Sequence, residues 1–188
     1  KQGFAIAAAA AKAGAHVTLI AGPVNLPTPQ GVIRVDVETA RQRAAAVDAA
    51  LPADVAIMVA AVADWRVANA GAQKMKKDGS GRAPALEFAE NPDILAGVAG
   101  SDRARGGQLF CVGFAAESHD LLSNAQAKRQ RKGVPLLAGN IGPATFGQDD
   151  NALLLIDAHG TLELPHASKL TLARQLMEQI AQRLPKLT

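Results

Sequence analysis

Apolar positions in this chain fall into short continuous runs separated by stretches of helical spacing, and the two kinds alternate from one end to the other. Residues 2 to 13 are alanine-rich and favour a helix, and Gly14 stops it before His16-Val17-Thr18-Leu19-Ile20-Ala21, a β-branched run of strand length. A proline-rich loop from Gly22-Pro23-Val24 to Pro27-Thr28-Pro29 follows, then a short strand at Val32 to Val37 and a helix from Glu38 to Ala50. Asp54 to Ala61 is almost wholly apolar, the pattern of a strand buried on both faces inside a parallel sheet covered by helices.

The stretch from Asp64 to Arg82 is polar and patternless, and a loop of that length in a compact domain predicts a mobile lid or a binding loop. Pro84 to Ala89 predicts a short strand, and Asn91-Pro92-Asp93 opens a helix with Asn91 as its cap and proline in the first turn. Leu109 to Gly113 predicts a second buried strand, Ser118 to Lys132 a helix, and Val134 to Ala138 a last core strand. Asn151 to Asp157 and Thr161 to Leu164 flank an Ala-His-Gly turn as an antiparallel hairpin, and Ser168 caps a closing amphipathic helix reaching Leu184. The fold class is therefore α/β: a doubly wound, Rossmann-like, mostly parallel sheet with a C-terminal antiparallel hairpin. In such a sheet a strand and a Gly-rich turn normally precede the first helix, so the domain, residues 1 to 188, reads as lacking its first strand and that loop.

Composition narrows the function. The 188 residues are 48% hydrophobic and 20% charged, enough for one domain with its own core. Aromatics are 3% with no tyrosine, so the stacking platforms that read single-stranded nucleic acid are nearly absent, and a net charge of +3 is too slight to imply DNA binding. Cys111 has no partner, which excludes a disulfide-stapled module and points to a reducing compartment; the reading is a soluble, cytoplasmic protein with neither a membrane span nor a signal peptide.

Several constellations could carry chemistry. Val59-Ala60-Ala61-Val62-Ala63-Asp64 places small residues and a carboxylate at the carboxyl end of a predicted strand, the edge where open α/β sheets bind ligands. Asp64 could accept ligand hydrogen bonds or serve only as a turn aspartate, and Trp65 and Arg66 read as loop packing. Asn91-Pro92-Asp93-Ile94 offers backbone N–H groups at a helix start, suited to a nucleobase or phosphate, although an ordinary cap explains it nearly as well. Gly113-Phe114-Ala115-Ala116-Glu117 ends another strand at the same edge, where Phe114 could flank a flat ring or simply fill the core. Lys128 and Lys132, four apart on one helix face, can grip a polyphosphate or belong to a solvated face. Lys74, Lys76 and Lys77 on the long loop could close over an anion. Cys111 reads as core filling, and His16, His119, His159 and His166 lack metal-ligand spacing.

The order and wording of these motifs resemble the phosphopantothenoylcysteine synthetase family, the second enzyme domain of the bacterial bifunctional coenzyme A biosynthesis protein. The resemblance covers essentially the whole chain. It rests on Lys1-Gln2-Gly3-Phe4-Ala5, Gly22-Pro23-Val24, Ala60-Ala61-Val62-Ala63-Asp64-Trp65-Arg66, Lys74-Met75-Lys76-Lys77 and Asn91-Pro92-Asp93-Ile94-Leu95. It continues through Gly113-Phe114-Ala115-Ala116-Glu117, Lys128 with Lys132, Ala138-Gly139-Asn140 and Phe146-Gly147-Gln148-Asp149-Asp150-Asn151. The resemblance implies a ligase that couples 4′-phosphopantothenate to cysteine in two steps: the carboxylate attacks the α-phosphorus of CTP, giving an acyl-cytidylate and pyrophosphate, and the cysteine amine then displaces CMP. Mg²⁺ would bridge the phosphates.

Carried onto this sequence, the resemblance makes Asp64, Lys74, Asn91, Pro92, Asp93, Ile94, Phe114, Lys128, Lys132 and Asn140 nucleotide contacts. Ala60, Ala61 and Asp64 would meet phosphopantothenate, and Lys74 would be the catalytic residue serving the intermediate; the protein itself supplies no dedicated metal site. It also implies a homodimer and, in the native protein, fusion to a flavin-dependent decarboxylase domain. The chain departs from the family in two places: the segment ending in Ser-Ser-Gly-Lys is absent up to Lys1, and Gly139-Asn140-Ile141 carries isoleucine where the family usually has an acidic residue. A catalytically inactive nucleotide-binding module and a Rossmann-type oxidoreductase are the other classes considered, the latter requiring a GxGxxG turn that the sequence does not show.

Overall fold

A computed structural model describes residues 1–69, 85–117, 119–141 and 147–184. The elements run α1 (Gln2–Lys12), β1 (Val17–Ala21), β2 (Val32–Asp36), α2 (Ala40–Ala49), β3 (Val55–Met58), β4 (Trp65–Val67), β5 (Phe88–Glu90), α3 (Ile94–Ala99), α4 (Asp102–Arg105), β6 (Phe110–Glu117), α5 (Leu121–Lys132), β7 (Leu136–Ile141), β8 (Asp150–Ile156), β9 (Thr161–Ser168) and α6 (Lys169–Ala181).

The α/β class holds, with helices on both faces, but the central sheet is mixed where a mostly parallel one was expected. Its order is β3-β6-β7-β8-β9, and only β3, β6 and β7 run parallel. The expected hairpin is present: β8 lies antiparallel to β7, β9 pairs antiparallel with β8, and Asp157 turns the chain by accepting from the N–H groups of His159 and Gly160. β1 and β2 form a separate parallel pair, and β4 and β5 a short antiparallel one.

Side-chain alternation along the strands gives the sheet two apolar faces. On one, Ile6 and Ala9 of α1 and Leu172, Leu176 and Ile180 of α6 pack on Val112, Leu136, Ala138, Leu153 and Leu155. On the other, Val47 of α2, Val98 of α3 and Ala125 of α5 pack on Cys111, Ala115, Leu137 and Ile156. Close approach on this second face requires glycine: a Cβ at Gly139 would stand 2.9 Å from a Leu121 methyl, and one at Gly113 2.8 Å from Leu137 and 3.1 Å from Leu95.

Three local expectations change. The apolar run after Asp54 yields only the four residues of β3, all half-buried, because β3 pairs with β6 on one side and with no described strand on the other. Trp65 and Arg66, expected in a loop, form β4 against β5. The helix after Asn91 is capped by Asp93, whose carboxylate accepts from the Ala96 N–H, so its first residue is Ile94 and Pro92 lies outside it. Ser168 does cap α6, accepting from the Thr171 N–H at 3.1 Å. Among the described residues no helix is long and apolar enough to cross a membrane.

Candidate functional site

The carboxyl edge of the parallel strands is stepped. Met58, the last residue of β3, pairs with Gly113, while β6 and β7 continue together to Glu117 and Ile141. Beyond the end of β3 the chain from Val59 to Asp64, the start of α3 and one side of α5 come together, joined by hydrogen bonds, an ion pair and charge interactions.

Hydrogen bonds assemble this cluster from segments distant in sequence. The Asn91 N–H donates to the Asp64 carbonyl at 2.7 Å, and its side-chain Nδ2 donates to the Ala63 carbonyl at 2.9 Å. The Arg66 guanidinium donates to the Glu90 carbonyl, fastening the adjoining β4–β5 ladder. Lys132 reaches from the end of α5 to pair with Asp93. Burial opposes ionisation of Asp93, but the Lys132 ammonium and the Ala96 N–H outweigh it and hold the carboxyl below its usual range.

Lys128 lies one turn before Lys132 and is half-buried. Burial pushes its pKa down; Glu117 opposes that shift, Lys132 and Arg131 add to it, and Asp64 opposes it again. Two lysines therefore join the cluster from α5, one held by Asp93 and the other set among charges of both signs. A half-desolvated ammonium beside a second one is suited to a multiply charged anion, which would replace the lost hydration with direct charge-assisted contacts.

Of the residues expected in a site, the structure brings together Asp64, Asn91, Asp93, Lys128 and Lys132, with Pro92 and Ile94 carried between and beside them. Ala60 and Ala61 are exposed on the chain leaving β3, leaving the backbone accessible. Phe114 and Asn140 belong to the other face of the sheet from α5. Alternation puts Phe114 on the opposite face of the sheet, half-buried against the core that α1 and α6 cover, and Asn140, paired in register with Ala116, is buried on that same face. Lys74 and Phe146 lie outside the described residues, as does most of the expected lid. Glu117 was missed as a site residue; the signal for it was its parity with Gly113 and Ala115, which marks the side of β6 that faces α5.

Cys111 is 1% exposed, and burial pushes its thiol up to about 11, consistent with core filling. Among the described residues no group of three His, Cys, Asp or Glu side chains could hold a metal ion.

Comparison with known proteins gives a consistent family. Residues 1–184 match the model of the DNA/pantothenate metabolism flavoprotein C-terminal domain. The coenzyme A biosynthesis bifunctional protein CoaBC of Escherichia coli K12 is 44% identical over 188 residues, covering 97% of this chain and 46% of the relative. The chain thus spans about half the length of the curated relatives it matches. The crystal structure of the C-terminal domain of CoaBC superposes with a TM-score of 0.77 at 29% identity, over 97% of this chain and 82% of that one. A Cab2 variant in complex with phosphopantothenate-cysteine shares the fold at a TM-score of 0.61 and 17% identity, over 82% of this chain and 53% of that one.

Proposed function

The chain belongs to the DNA/pantothenate metabolism flavoprotein C-terminal domain family, and from that premise we propose that it is the ligase half of a coenzyme A biosynthesis protein, joining 4′-phosphopantothenate to cysteine at the expense of CTP. The observation that supports this most is the cluster of two lysines on α5, one half-buried, with Asp64 and Asp93 at the carboxyl edge of the parallel strands. In this reading Lys128 and Lys132 neutralise the triphosphate as the substrate carboxylate attacks the α-phosphorus and pyrophosphate leaves. The exposed backbone at Ala60 and Ala61 receives phosphopantothenate close to that phosphorus. Lys74 then serves the acyl-cytidylate while the cysteine amine attacks the acyl carbon and CMP departs. Magnesium, when bound, would spread the charge of the phosphates.

Phe114 and Asn140 enter this scheme only from the far side of β6 and β7, above the point where β3 ends. That no described strand pairs with the other side of β3 supports a further strand ahead of α1 in the native protein, and the bifunctional relatives support a fused decarboxylase. We read the native protein as a cytoplasmic homodimer.

The test is mass spectrometry of this chain, and of a form extended ahead of Lys1, incubated with Mg²⁺, CTP, 4′-phosphopantothenate and cysteine, with ATP as the control nucleotide. CTP-dependent phosphopantothenoylcysteine is the expected product. Product in neither form, with no rise in melting temperature on adding CTP, would refute the reading.

A further inference from the structure

We propose that Asn91 and Asp93 are positioning residues, the two grips of a rigid clamp that holds the Ala63–Asp64 chain at one end and Lys132 at the other. The proposal rests on the ligase reading for the identity of the ligands and goes beyond it in assigning how these two residues act. Both were expected to touch the nucleotide, yet the structure engages the Asn91 side-chain N–H and both Asp93 carboxylate oxygens within the protein, so what these side chains do is hold neighbouring groups. Asn91 spends its backbone N–H on Asp64 and a side-chain N–H on Ala63. Asp93 spends one carboxylate oxygen on the Ala96 N–H at 3.1 Å and the other on Lys132. A carboxylate only accepts, so it cannot donate to a phosphate; it can aim an ammonium that does.

Pro92 makes the two grips one device. Its ring fixes its own backbone and keeps Asn91 extended, so the distance between grips has little freedom. The β4–β5 ladder braces the Asn91 end, since Trp65 pairs with Glu90 directly before the Asn91–Asp64 bond. The loop that would receive the acid and the lysine that would receive the triphosphate are therefore held in register by three consecutive residues.

The test is a pair of double-mutant cycles read by calorimetric titration, with CTP and Mg²⁺ for Asn91→Ala against Asp64→Ala, and with inorganic tripolyphosphate for Asp93→Ala against Lys132→Ala. If Asn91 acts through the Asp64 chain, Asn91→Ala weakens CTP binding by about tenfold alone and by less than about twofold once Asp64 is alanine. If Asp93 acts through Lys132, its removal changes tripolyphosphate affinity in the wild-type background and by less than about twofold once Lys132 is alanine. Effects that multiply in full in both cycles overturn the clamp and return both residues to direct contact. Melting temperatures identify any variant that fails to fold, for which Asn91→Ser or Asp93→Asn is substituted. Wild-type binding of tripolyphosphate without CTP binding would count against the ligase reading and leave the Asp93–Lys132 cycle to decide the clamp.

Discussion

Replacing Lys128 by methionine keeps an unbranched stem along α5 and removes the ammonium. If that group contacts a triphosphate, the loss is one charge-assisted hydrogen bond, worth about 1.5–3 kcal/mol. Relief of repulsion with Lys132 and Arg131 offsets part of this, while Glu117 and Asp64 lose a counter-charge. The net expectation is a CTP affinity weaker by roughly 10- to 100-fold, at 1.4 kcal/mol per decade. Calorimetric titration across ionic strength and pH gives three readings. The wild type should lose affinity more steeply with salt than Lys128→Met, because screening acts on the contact that the variant lacks. Affinity should also fall at alkaline pH below the ordinary lysine range: burial lowers the Lys128 pKa, only the charged form attracts phosphate, and so binding is lost as pH rises through the lowered value. Lys128→Arg, charged throughout, should remove that alkaline limb. An unchanged dissociation constant in Lys128→Met, or an alkaline limb that survives in Lys128→Arg, would place Lys128 on a solvated face and refute the reasoning.

Other outcomes follow from features away from this lysine. Asp157 links the β8–β9 turn to α6 by accepting from Arg183 Nε and Nη2 at 3.0 and 2.8 Å, so Asp157→Ala should cost about 2–3 kcal/mol in urea unfolding. Burial opposes the ionised carboxylate, but Arg183 and the turn N–H groups outweigh it and lower its pKa; the stability it contributes is present above the unfolded aspartate value and lost as pH falls through the folded one, and Asp157→Asn should flatten that acid limb. Gly113→Ala should destabilise by about 1–3 kcal/mol, because the new methyl meets Leu137 and Leu95 in a closed core. Cys111 should resist alkylation by iodoacetamide in the native protein and react on unfolding, measured by mass shift. Lys74→Gln should reduce product formation far more than CTP affinity; equal losses would make it a triphosphate contact only.

What was legible in the sequence was what depends on neighbours in the chain. α1, the β8–β9 hairpin and the Ser168 cap follow from alanine content, turn residues and a hydroxyl before an apolar helix. β4 was not legible because three residues make no periodic signal and their pairing partner is more than twenty positions on. The helix cap moved from Asn91 to Asp93 because the Asp93 carboxylate takes the Ala96 N–H while the Asn91 amide is drawn to the Ala63 carbonyl, a partner 28 positions away that no local pattern announces. The placement of Phe114 was half-legible: glycine at 113 and 139 marks the side on which helices press closest, and Phe114 has the other parity. The Lys132–Asp93 pair joins residues 39 apart and could come only from the fold.

The one-sided pairing of β3 bears on how the protein behaves in a tube. Among the described residues β1 also has no partner strand away from β2: Ala21 gives its carbonyl to Val37, so the Ile20 carbonyl points to the other edge, where it accepts from Arg43 at 3.0 Å. Unpaired strand edges are templates for pairing with another chain, and the Arg43 side chain blunts only one of these two. A strand ahead of α1 would cover the β3 edge, so the form extended ahead of Lys1 should stay monodisperse at concentrations where this chain begins to pair edge to edge.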